Sequence, residues 1–303
     1  MGALRRTLIA AGRNRFLERQ ATTRALPRRI AMRFIAGETL EDGLAAVRAI
    51  AAEGKTTTLD FLGEAVTGPD DARAAQRTIL EAAACIAEES LPTSLSVKPT
   101  QMGLAFDADL AHKLVSQIAA STDTRVNLDM EGSNVTEATV ALCERLRADG
   151  YSNVGCAVQA YLRRIQHDIE RLTAAGASLR LTKGAYDEPP HIAFQTSREV
   201  DESFARCADW LLANGHYPRI ATHDDVLIER VKRTVARLGL SPDDFEFQML
   251  HGVRRDLQDR LVAAGWRLRV YVPFGKQWYP YFMRRIAERP ANLVFFLRAV
   301  TGA

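Results

Sequence analysis

Short apolar stretches rich in β-branched residues alternate along the chain with longer segments in which apolar residues recur every three or four positions. The short stretches predict buried strands, and the longer segments predict amphipathic helices. Continuously apolar strands separated by helices are typical of a parallel sheet that is covered on both faces. The eight predicted strands are 56–63, 93–97, 125–130, 153–159, 178–182, 219–221, 245–250 and 267–272.

Helical segments follow the strands and have recognisable ends. Pro69 marks the start of the first segment, where we expect Asp70 to cap the helix, and Gly176 ends a later one. No G-x-G-x-x-G dinucleotide loop follows any strand, so eight strand–helix units favour a closed (βα)8 barrel over a doubly wound sheet. The predicted helices are 70–89, 107–120, 133–148, 161–174, 192–213, 226–237, 254–263 and 276–289.

Charge is distributed unevenly along the 303 residues. Nine of the 40 basic residues but only one of the 37 acidic residues lie in 1–33, so this segment carries +8 and the remainder carries −5. A globally basic, nucleic-acid-binding protein is therefore not expected. We assign 1–37 to a basic helical arm, in which Pro27 interrupts the helix, and 38–303 to the catalytic barrel.

The four cysteines are widely separated and form no C-x-x-C pair, which disfavours a disulfide framework and a zinc site. We therefore predict reduced thiols in a cytoplasmic type of compartment, and no metal. The longest apolar run near the C-terminus covers only 293–297, whereas ~18 residues are needed to span a bilayer.

Polar or ionisable residues occur at the C-terminal end of every predicted strand, where barrel enzymes build their active sites. They are Glu64, Lys98, Asp129, Gln159, Arg180 with Lys183, Thr222 with His223, Gln248, and Tyr271. Two chemistries suit this ring. In one, Lys98 forms a Schiff base; in the other, Lys98 and Arg180 are fixed cations that bind an anion or tune a cofactor.

The last predicted helix carries two adjacent arginines, Arg284 and Arg285. Neighbouring positions on a helix point about 100° apart, so one arginine facing solvent and one buried is the simplest expectation. If the helix crosses the site, the two guanidinium groups can instead hold one carboxylate.

The motifs around these positions resemble those of the monofunctional proline dehydrogenases, a family that also occurs as a domain of bifunctional proline-catabolising proteins. The resemblance covers nearly all of 34–303. Its motifs are LDFLGE from Leu59, LSVKP from Leu95, NLDME from Asn127, VQAYLR from Val158, RLTKGAY from Arg180, ATHD from Ala221, FEFQML from Phe245, YVPFG from Tyr271 and WYPYFMRRIAERPAN from Trp278.

This resemblance implies an α/β fold, a distorted (βα)8 TIM-like barrel whose last helix lies over the barrel mouth. It implies oxidation of L-proline to 1-pyrroline-5-carboxylate, with hydride transferred to N5 of FAD and electrons then passed to a membrane quinone. A separate pyrroline-5-carboxylate dehydrogenase becomes a candidate partner. The alternatives are another FAD-dependent barrel enzyme, such as a methylenetetrahydrofolate reductase, and a non-enzymatic regulator.

The resemblance also implies residue roles and makes a Schiff base at Lys98 a minor alternative. Asp129 is expected to accept the hydroxyl of Tyr271, and Arg180 to lie near flavin N5. The remaining implied contacts to substrate are Lys98, Arg284, Arg285, Tyr186 and Leu250. The implied contacts to the cofactor are Met130, Gln159, Lys183, Gly184, Ala185, Thr222 and His223.

Two further hypotheses concern the rim of the site and the arm. A Glu64–Arg284 ion pair is expected to gate the site, and Glu288 to brace the arginines. The arm has two open interpretations: it contacts an anionic bilayer at the inner face of the membrane, or it packs on the acidic barrel wall, which we favour.

Overall fold

Eight parallel strands close into a barrel in sequence order, with β1 pairing with both β2 and β8. The computed structural model describes residues 11–12, 14–63 and 66–288, apart from the side chains of Arg15, Leu26 and Glu288. This closed sheet confirms the predicted (βα)8 barrel. The strands are β1 (Thr56–Phe61), β2 (Thr93–Val97), β3 (Val126–Leu128), β4 (Val154–Gln159), β5 (Leu179–Thr182), β6 (Arg219–Ala221), β7 (Glu246–Leu250) and β8 (Leu268–Phe274).

Helices surround the barrel, and a short 3₁₀ helix (Pro99–Met102) follows β2. The eight helices predicted after the strands are all present. The described α-helices are α1 (Arg15–Thr23), α2 (Ala25–Ala31), α3 (Leu40–Ala52), α4 (Pro69–Glu88), α5 (Ala108–Ala120), α6 (Ser133–Ala148), α7 (Ile165–Ala174), α8 (Ser197–Asn214), α9 (Asp225–Leu238), α10 (Arg255–Ala263) and α11 (Trp278–Glu288).

Several helix starts differ from the sequence prediction. Asp70 is not the cap of α4: Gly68 occupies that position, and Asp70 lies in the first turn beside the helix dipole. The arm's helix is interrupted at Arg24, which is extended between α1 and α2, and not at Pro27 itself; Pro27 lies in the first turn of α2, where no backbone N–H partner is required. Helix α3, which precedes β1, was not predicted, although Thr39 and Asp42 form a capping box at its start.

Helices α7 and α8 begin four and five residues later than predicted, because the residues before them pair with each other. The amide of Arg163 donates to the carbonyl of Ile192 at 2.9 Å, and Phe194 donates to the carbonyl of Tyr161 at 2.8 Å. The apolar side chains of these paired residues fit the spacing of an amphipathic helix, which is why the sequence predicts longer helices. This local pairing forms one wall of the barrel mouth.

The barrel interior is polar, whereas the apolar core lies between the sheet and the helices. In β7, Phe247 and Met249 belong to the apolar layer. The alternating residues Glu246 and Gln248 therefore point into the barrel, where both are buried. Barrel interiors are more often filled by branched apolar residues. In this barrel, polar side chains that form hydrogen bonds take their place.

The described part of the arm packs against α11. The hydroxyl of Tyr279 donates to the carbonyl of Ala11 at 3.2 Å, and Trp278 donates from Nε1 to Glu38, the residue directly after the arm, at 3.1 Å. The arm and α11 thus form one apolar layer at the barrel mouth. Its buried members are Ala21, Ala31, Ile35, Leu62, Trp278, Tyr279, Tyr281, Phe282, Met283, Ile286 and Ala287.

Across the ranges that the structure describes, no helix combines the length and apolar character needed to cross a bilayer.

Candidate active site

A cavity of about 790 Å³ opens at the C-terminal ends of the strands, and residues of α11 form part of its lining. Its size is typical of small-molecule sites, which span roughly 300–1,000 Å³. Glu64 and the side chain of Glu288 lie outside the described residues, so the predicted gate and brace stay predictions. The predicted residues in the lining are Lys98, Asp129, Met130, Gln159, Arg180, Lys183, Gly184, Ala185, Tyr186, Thr222, His223, Leu250, Tyr271, Arg284 and Arg285.

Asp129 is the centre of a buried hydrogen-bond cluster. Its carboxylate accepts from the hydroxyl of Tyr271 at 2.7 Å, from Nη1 of Arg180 at 2.9 Å and from Oγ of Ser96 at 2.5 Å. Burial works to raise the pKa of Asp129, but the nearby Lys98 and Arg180 outweigh it and hold the pKa below its usual value. Asp129 is therefore an anion that orients one tyrosine and one arginine.

Burial raises the pKa of the Tyr271 hydroxyl well above 10, and the neighbouring Asp129 adds to this effect. Tyr271 is thus a neutral hydrogen-bond donor. The Cζ atom of Arg180 lies 5.1 Å from the centre of the Tyr271 ring, a distance that permits a cation–π contact.

Lys98 forms an ion pair with Asp60, a buried carboxylate to which the sequence reasoning gave no role. The Lys98 ammonium lies 2.5 Å from Asp60 and 3.7 Å from Asp129. Burial raises the pKa of Asp60 to about 6, although Lys98 acts in the opposite direction. The charge that Lys98 presents to the cavity therefore depends on Asp60.

Glu131 and Gln248 also line the cavity without a predicted role. Glu131 accepts from the amide of Thr100 at 3.0 Å and from its hydroxyl at 2.7 Å, and burial raises the pKa of its carboxyl group. Gln248 accepts from Nε of Arg180 at 2.8 Å. The sequence predicts Gln248 at the end of a strand but assigns it no role.

Arg284 and Arg285 are both half-buried and both line the cavity. The Cζ atom of Arg284 lies 5.8 Å from the centre of the Tyr186 ring, and that of Arg285 lies 5.1 Å from the centre of the Tyr281 ring. The expectation that one arginine faces solvent is therefore wrong. Helix α11 crosses the mouth, so two consecutive positions reach the same cavity.

Gln159, which also lines the cavity, is held by main-chain atoms. Its Nε2 donates to the carbonyl of Glu131 at 2.8 Å, and its Oε1 accepts from the amide of Ala185 at 3.4 Å. Gly184 has a positive φ of 112°, and a Cβ there would collide with the ring of Tyr161. Packing against Tyr161 is thus sufficient to require glycine at this position.

Lys183 lies between two carboxylates at the rim, 2.6 Å from Asp201 and 3.0 Å from Asp224. Thr222 accepts from the amide of Asp224 at 3.2 Å, and Nε2 of His223 accepts from the amide of Leu250 at 2.9 Å. Because this acceptor role needs an unprotonated Nε2, His223 is neutral in this arrangement.

The cavity suits a large ligand with an electron-rich edge near Arg180. Nη2 of Arg180 is buried and makes no hydrogen bond to any residue in the described ranges. A buried, unpaired guanidinium nitrogen is costly unless a ligand accepts from it. In the same ranges, no group of three His, Cys, Asp or Glu side chains is arranged to hold a metal.

Comparison with known proteins gives consistent matches. A family model described as proline dehydrogenase matches residues 44–298. Proline dehydrogenase 2 of Bacillus subtilis (strain 168) is 37% identical over 272 residues, which cover 89% of this chain and 89% of that protein. The proline dehydrogenase of Deinococcus radiodurans is 35% identical over 278 residues, covering 89% of this chain and 90% of that protein.

A solved structure of proline utilization A from Bdellovibrio bacteriovorus, inactivated by N-propargylglycine, has the same fold, with a TM-score of 0.82 at 24% identity. The match covers 88% of this chain and 33% of that one, so the chain spans about a third of that structure's length. The family model accounts for most of the chain, and both proline dehydrogenases align over most of their lengths. The chain therefore belongs to the proline dehydrogenase family.

Proposed function

We propose that this protein oxidises L-proline to 1-pyrroline-5-carboxylate with bound FAD and delivers the electrons to a membrane quinone. The observation that carries the proposal is the convergence of Arg284, Arg285 and Lys98 on the cavity that Arg180 also lines. Family membership does not favour the methylenetetrahydrofolate reductase alternative.

The arginines on α11 are suited to bind the substrate carboxylate. Guanidinium groups bind carboxylates through paired, charge-assisted hydrogen bonds. Lys98 contributes a third cation, partly compensated by Asp60 at 2.5 Å. Three cations around a bound amino acid also disfavour the protonated form of its amine, which must be neutral before a hydride can leave the adjacent carbon.

Tyr271, Tyr186 and Leu250 supply an apolar wall for the pyrrolidine ring. Asp129 fixes the Tyr271 hydroxyl at 2.7 Å, so this wall is rigid before substrate binds. Holding the ring in one orientation beside the group that reacts with it lowers the activation free energy by several kcal/mol, because the entropy of bringing the two together is lost on binding. Helix α11 across the mouth limits the access of water.

FAD, when bound, supplies the hydride acceptor at N5. We assign its binding to Met130, Gln159, Arg180, Lys183, Gly184, Ala185, Thr222 and His223. Arg180 lines the cavity and would face the flavin, where its positive charge would stabilise negative charge on the reduced ring. Because Lys183 is already paired with two carboxylates, Asp201 and Asp224, the pyrophosphate would meet no net positive charge there.

A quinone acceptor brings the enzyme to a membrane. Because the arm packs on α11 through apolar side chains and leaves arginines exposed, bilayer contact is compatible with its packing, and the basic arm is our candidate for the contact. Arg19, Arg29 and Arg33 are exposed on the arm, although its apolar residues pack on α11. We propose a cytoplasmic enzyme bound peripherally at the inner face of the membrane. Its product would pass to a separate pyrroline-5-carboxylate dehydrogenase.

Anaerobic reduction of the bound flavin tests the activity. L-proline should bleach the visible absorption of the FAD-loaded protein, and Arg285→Gln should raise the proline concentration for half-maximal rate about a hundredfold, because one partner of a charge pair is lost. Arg230→Gln is a matched control, since Arg230 pairs with Asp209 on the outer surface. A protein that binds no FAD, or whose flavin ignores proline, would contradict the proposal.

A further inference from the structure

A continuous line of hydrogen bonds runs through the barrel interior, away from the cavity. Arg180 donates from Nε to Oε1 of Gln248 at 2.8 Å, and Gln248 donates from Nε2 to Oε1 of Glu246 at 2.5 Å. The same oxygen of Glu246 accepts from Nε of Arg269 at 2.7 Å. Arg180, Gln248 and Glu246 are each at most 4% exposed, so water competes little for these bonds.

Glu246 determines which way the amide of Gln248 faces. Burial alone would raise the pKa of Glu246, but Arg269 outweighs it and keeps the carboxylate ionised. An ionised carboxylate only accepts hydrogen bonds, so Gln248 must turn its NH₂ group toward Glu246. The carbonyl oxygen of Gln248 is thereby directed at Nε of Arg180.

The guanidinium of Arg180 is consequently fixed on two sides. Nε is held by Gln248, and Nη1 donates to Asp129 at 2.9 Å and to Ser96 at 3.2 Å. Two fixed edges define the plane of the group. The third nitrogen, Nη2, makes no hydrogen bond to any described residue, and the Arg180 side chain lines the cavity.

We propose that Gln248, oriented by Glu246, is a positioning residue that fixes the plane of the Arg180 guanidinium and hence the direction of Nη2. This inference rests on the proposed function, in which Arg180 faces the flavin. Gln248 acts through Arg180, so it sets the flavin's reduction potential and the rate of hydride transfer. It does not contribute to binding the proline carboxylate, which falls to α11.

Gln248→Met removes the acceptor for Nε while keeping a side chain of similar length. In the FAD-loaded variant we expect a lower midpoint potential in dye-coupled reductive titration, and an anaerobic reduction rate at saturating proline lower by about tenfold. The apparent dissociation constant for proline should stay within about twofold, since Arg284 and Arg285 are unchanged. An unaltered midpoint potential would overturn the role of Gln248.

Glu246→Gln tests the role of Glu246 by the direction in which the flavin's reduction potential shifts. Removing a negative charge near the flavin would raise the potential, whereas losing the fixed orientation of Gln248 would lower it. We expect a lower potential; an equal or higher one would overturn the role of Glu246. If Gln248→Met fails to retain flavin, Glu246→Gln, which is isosteric with the wild-type residue, decides alone whether this pair positions Arg180.

A double-mutant cycle distinguishes an effect of Glu246 that passes through Gln248 from a direct effect of its charge on the flavin. If Glu246 acts through Gln248, Glu246→Gln should no longer lower the potential in the Gln248→Met background, giving a non-additive cycle. Additive shifts would overturn the coupling. Asp168→Asn is the matched control. It removes the buried carboxylate of Asp168 on α7, which accepts a hydrogen bond from Arg164, and it should leave the potential unchanged.

The two proposals fail in different ways. Reductive titration needs no proline, so a flavin-loaded protein that proline cannot reduce would contradict only the proposed function. Normal reduction by proline with unshifted potentials in the variants would contradict only the positioning role. A wild-type protein that binds no flavin would overturn both.

Discussion

Asp60 and Lys98 show how one buried pair controls the charge of the cavity. Asp60 is fully buried, and its carboxylate lies 2.5 Å from the Lys98 ammonium. Because burial raises the pKa of Asp60 to about 6, the carboxyl group changes its charge close to neutral pH. Below that pH, Lys98 and the two arginines face the cavity without this counter-charge.

The prediction is that an anionic ligand binds more weakly as the pH rises through about 6. Cyclopentanecarboxylate, which lacks the amine of proline, isolates the effect on the carboxylate. Its dissociation constant should rise severalfold across this transition in the wild-type protein, because ionised Asp60 neutralises Lys98. In Asp60→Asn the constant should stay at its low-pH value, which titration calorimetry would measure.

Asp168→Asn is the control for this prediction, since it changes a buried carboxyl group on α7. A transition that persists in Asp60→Asn would show that another group titrates. The same raised pKa of Asp60 also bears on stability: the folded state binds the proton more tightly than the unfolded state. The stabilisation of the fold by protonated Asp60 is therefore complete below pH 3.8 and is lost as the pH rises through about 6.

The sequence predicts about half of the cavity lining but no role for Asp60, and the reason is geometric. Polar residues at the ends of parallel strands converge on one edge of the barrel, which makes positions such as Arg180 and Tyr271 predictable. The sequence predicts that the first strand ends at 63 and so places Glu64 at its end, whereas β1 ends at Phe61. An aspartate within an apolar strand was the available signal.

At the scale of elements, α11 depends on a segment far away in sequence. Trp278 on α11 and Glu38 are separated by 240 residues, and Ala21 on α1 is fully buried in the same apolar layer. Local periodicity predicted the helices but contains no information on which distant helices pack together. The support of α11 by the arm therefore required the structure.

We predict that disturbing this layer impairs substrate binding through α11. Ala21→Glu places a charge in the contact between arm and helix, where an unpaired charge is strongly unfavourable. The arm should detach, the melting temperature should fall, and the KM for proline should rise severalfold with a smaller change in kcat, because the helix carrying Arg284 and Arg285 loses its support. Steady-state kinetics and thermal melting would measure both effects.

Thr23→Glu introduces the same charge into the same helix at an exposed position. It should leave the melting temperature and the KM close to those of the wild-type protein. If both variants behaved alike, the arm would act through its net charge and not through its packing. If neither changed the KM, α11 would not need the arm.

For the whole molecule, the period of the apolar residues was sufficient to predict a closed barrel, because eight strands and helices allow few other arrangements. It could not predict the polar interior. Glu246 and Gln248 lie in a strand whose outward residues are apolar, and their partners Arg180 and Arg269 come from two other strands. Such a network is specified by three-dimensional register, which single strands do not encode.

The charge asymmetry of the whole molecule leads to a prediction about membranes. The arm has a net charge of +8 on a remainder of −5, so an anionic bilayer should attract the arm and repel the barrel. Arg19, Arg29 and Arg33 are exposed, and each base near the surface contributes about 1 kcal/mol. Replacing all three by Gln should weaken binding to anionic vesicles about a hundredfold.

The matched control removes three exposed arginines elsewhere, Arg77, Arg233 and Arg237, and so makes the same change in net charge. Vesicle sedimentation at low and high salt would compare the two variants. Because the attraction is screened within about 10 Å at 0.1 M salt, only bases on the surface that faces the bilayer contribute. Equal losses in both variants would mean that net charge, and not the arm, governs the attachment.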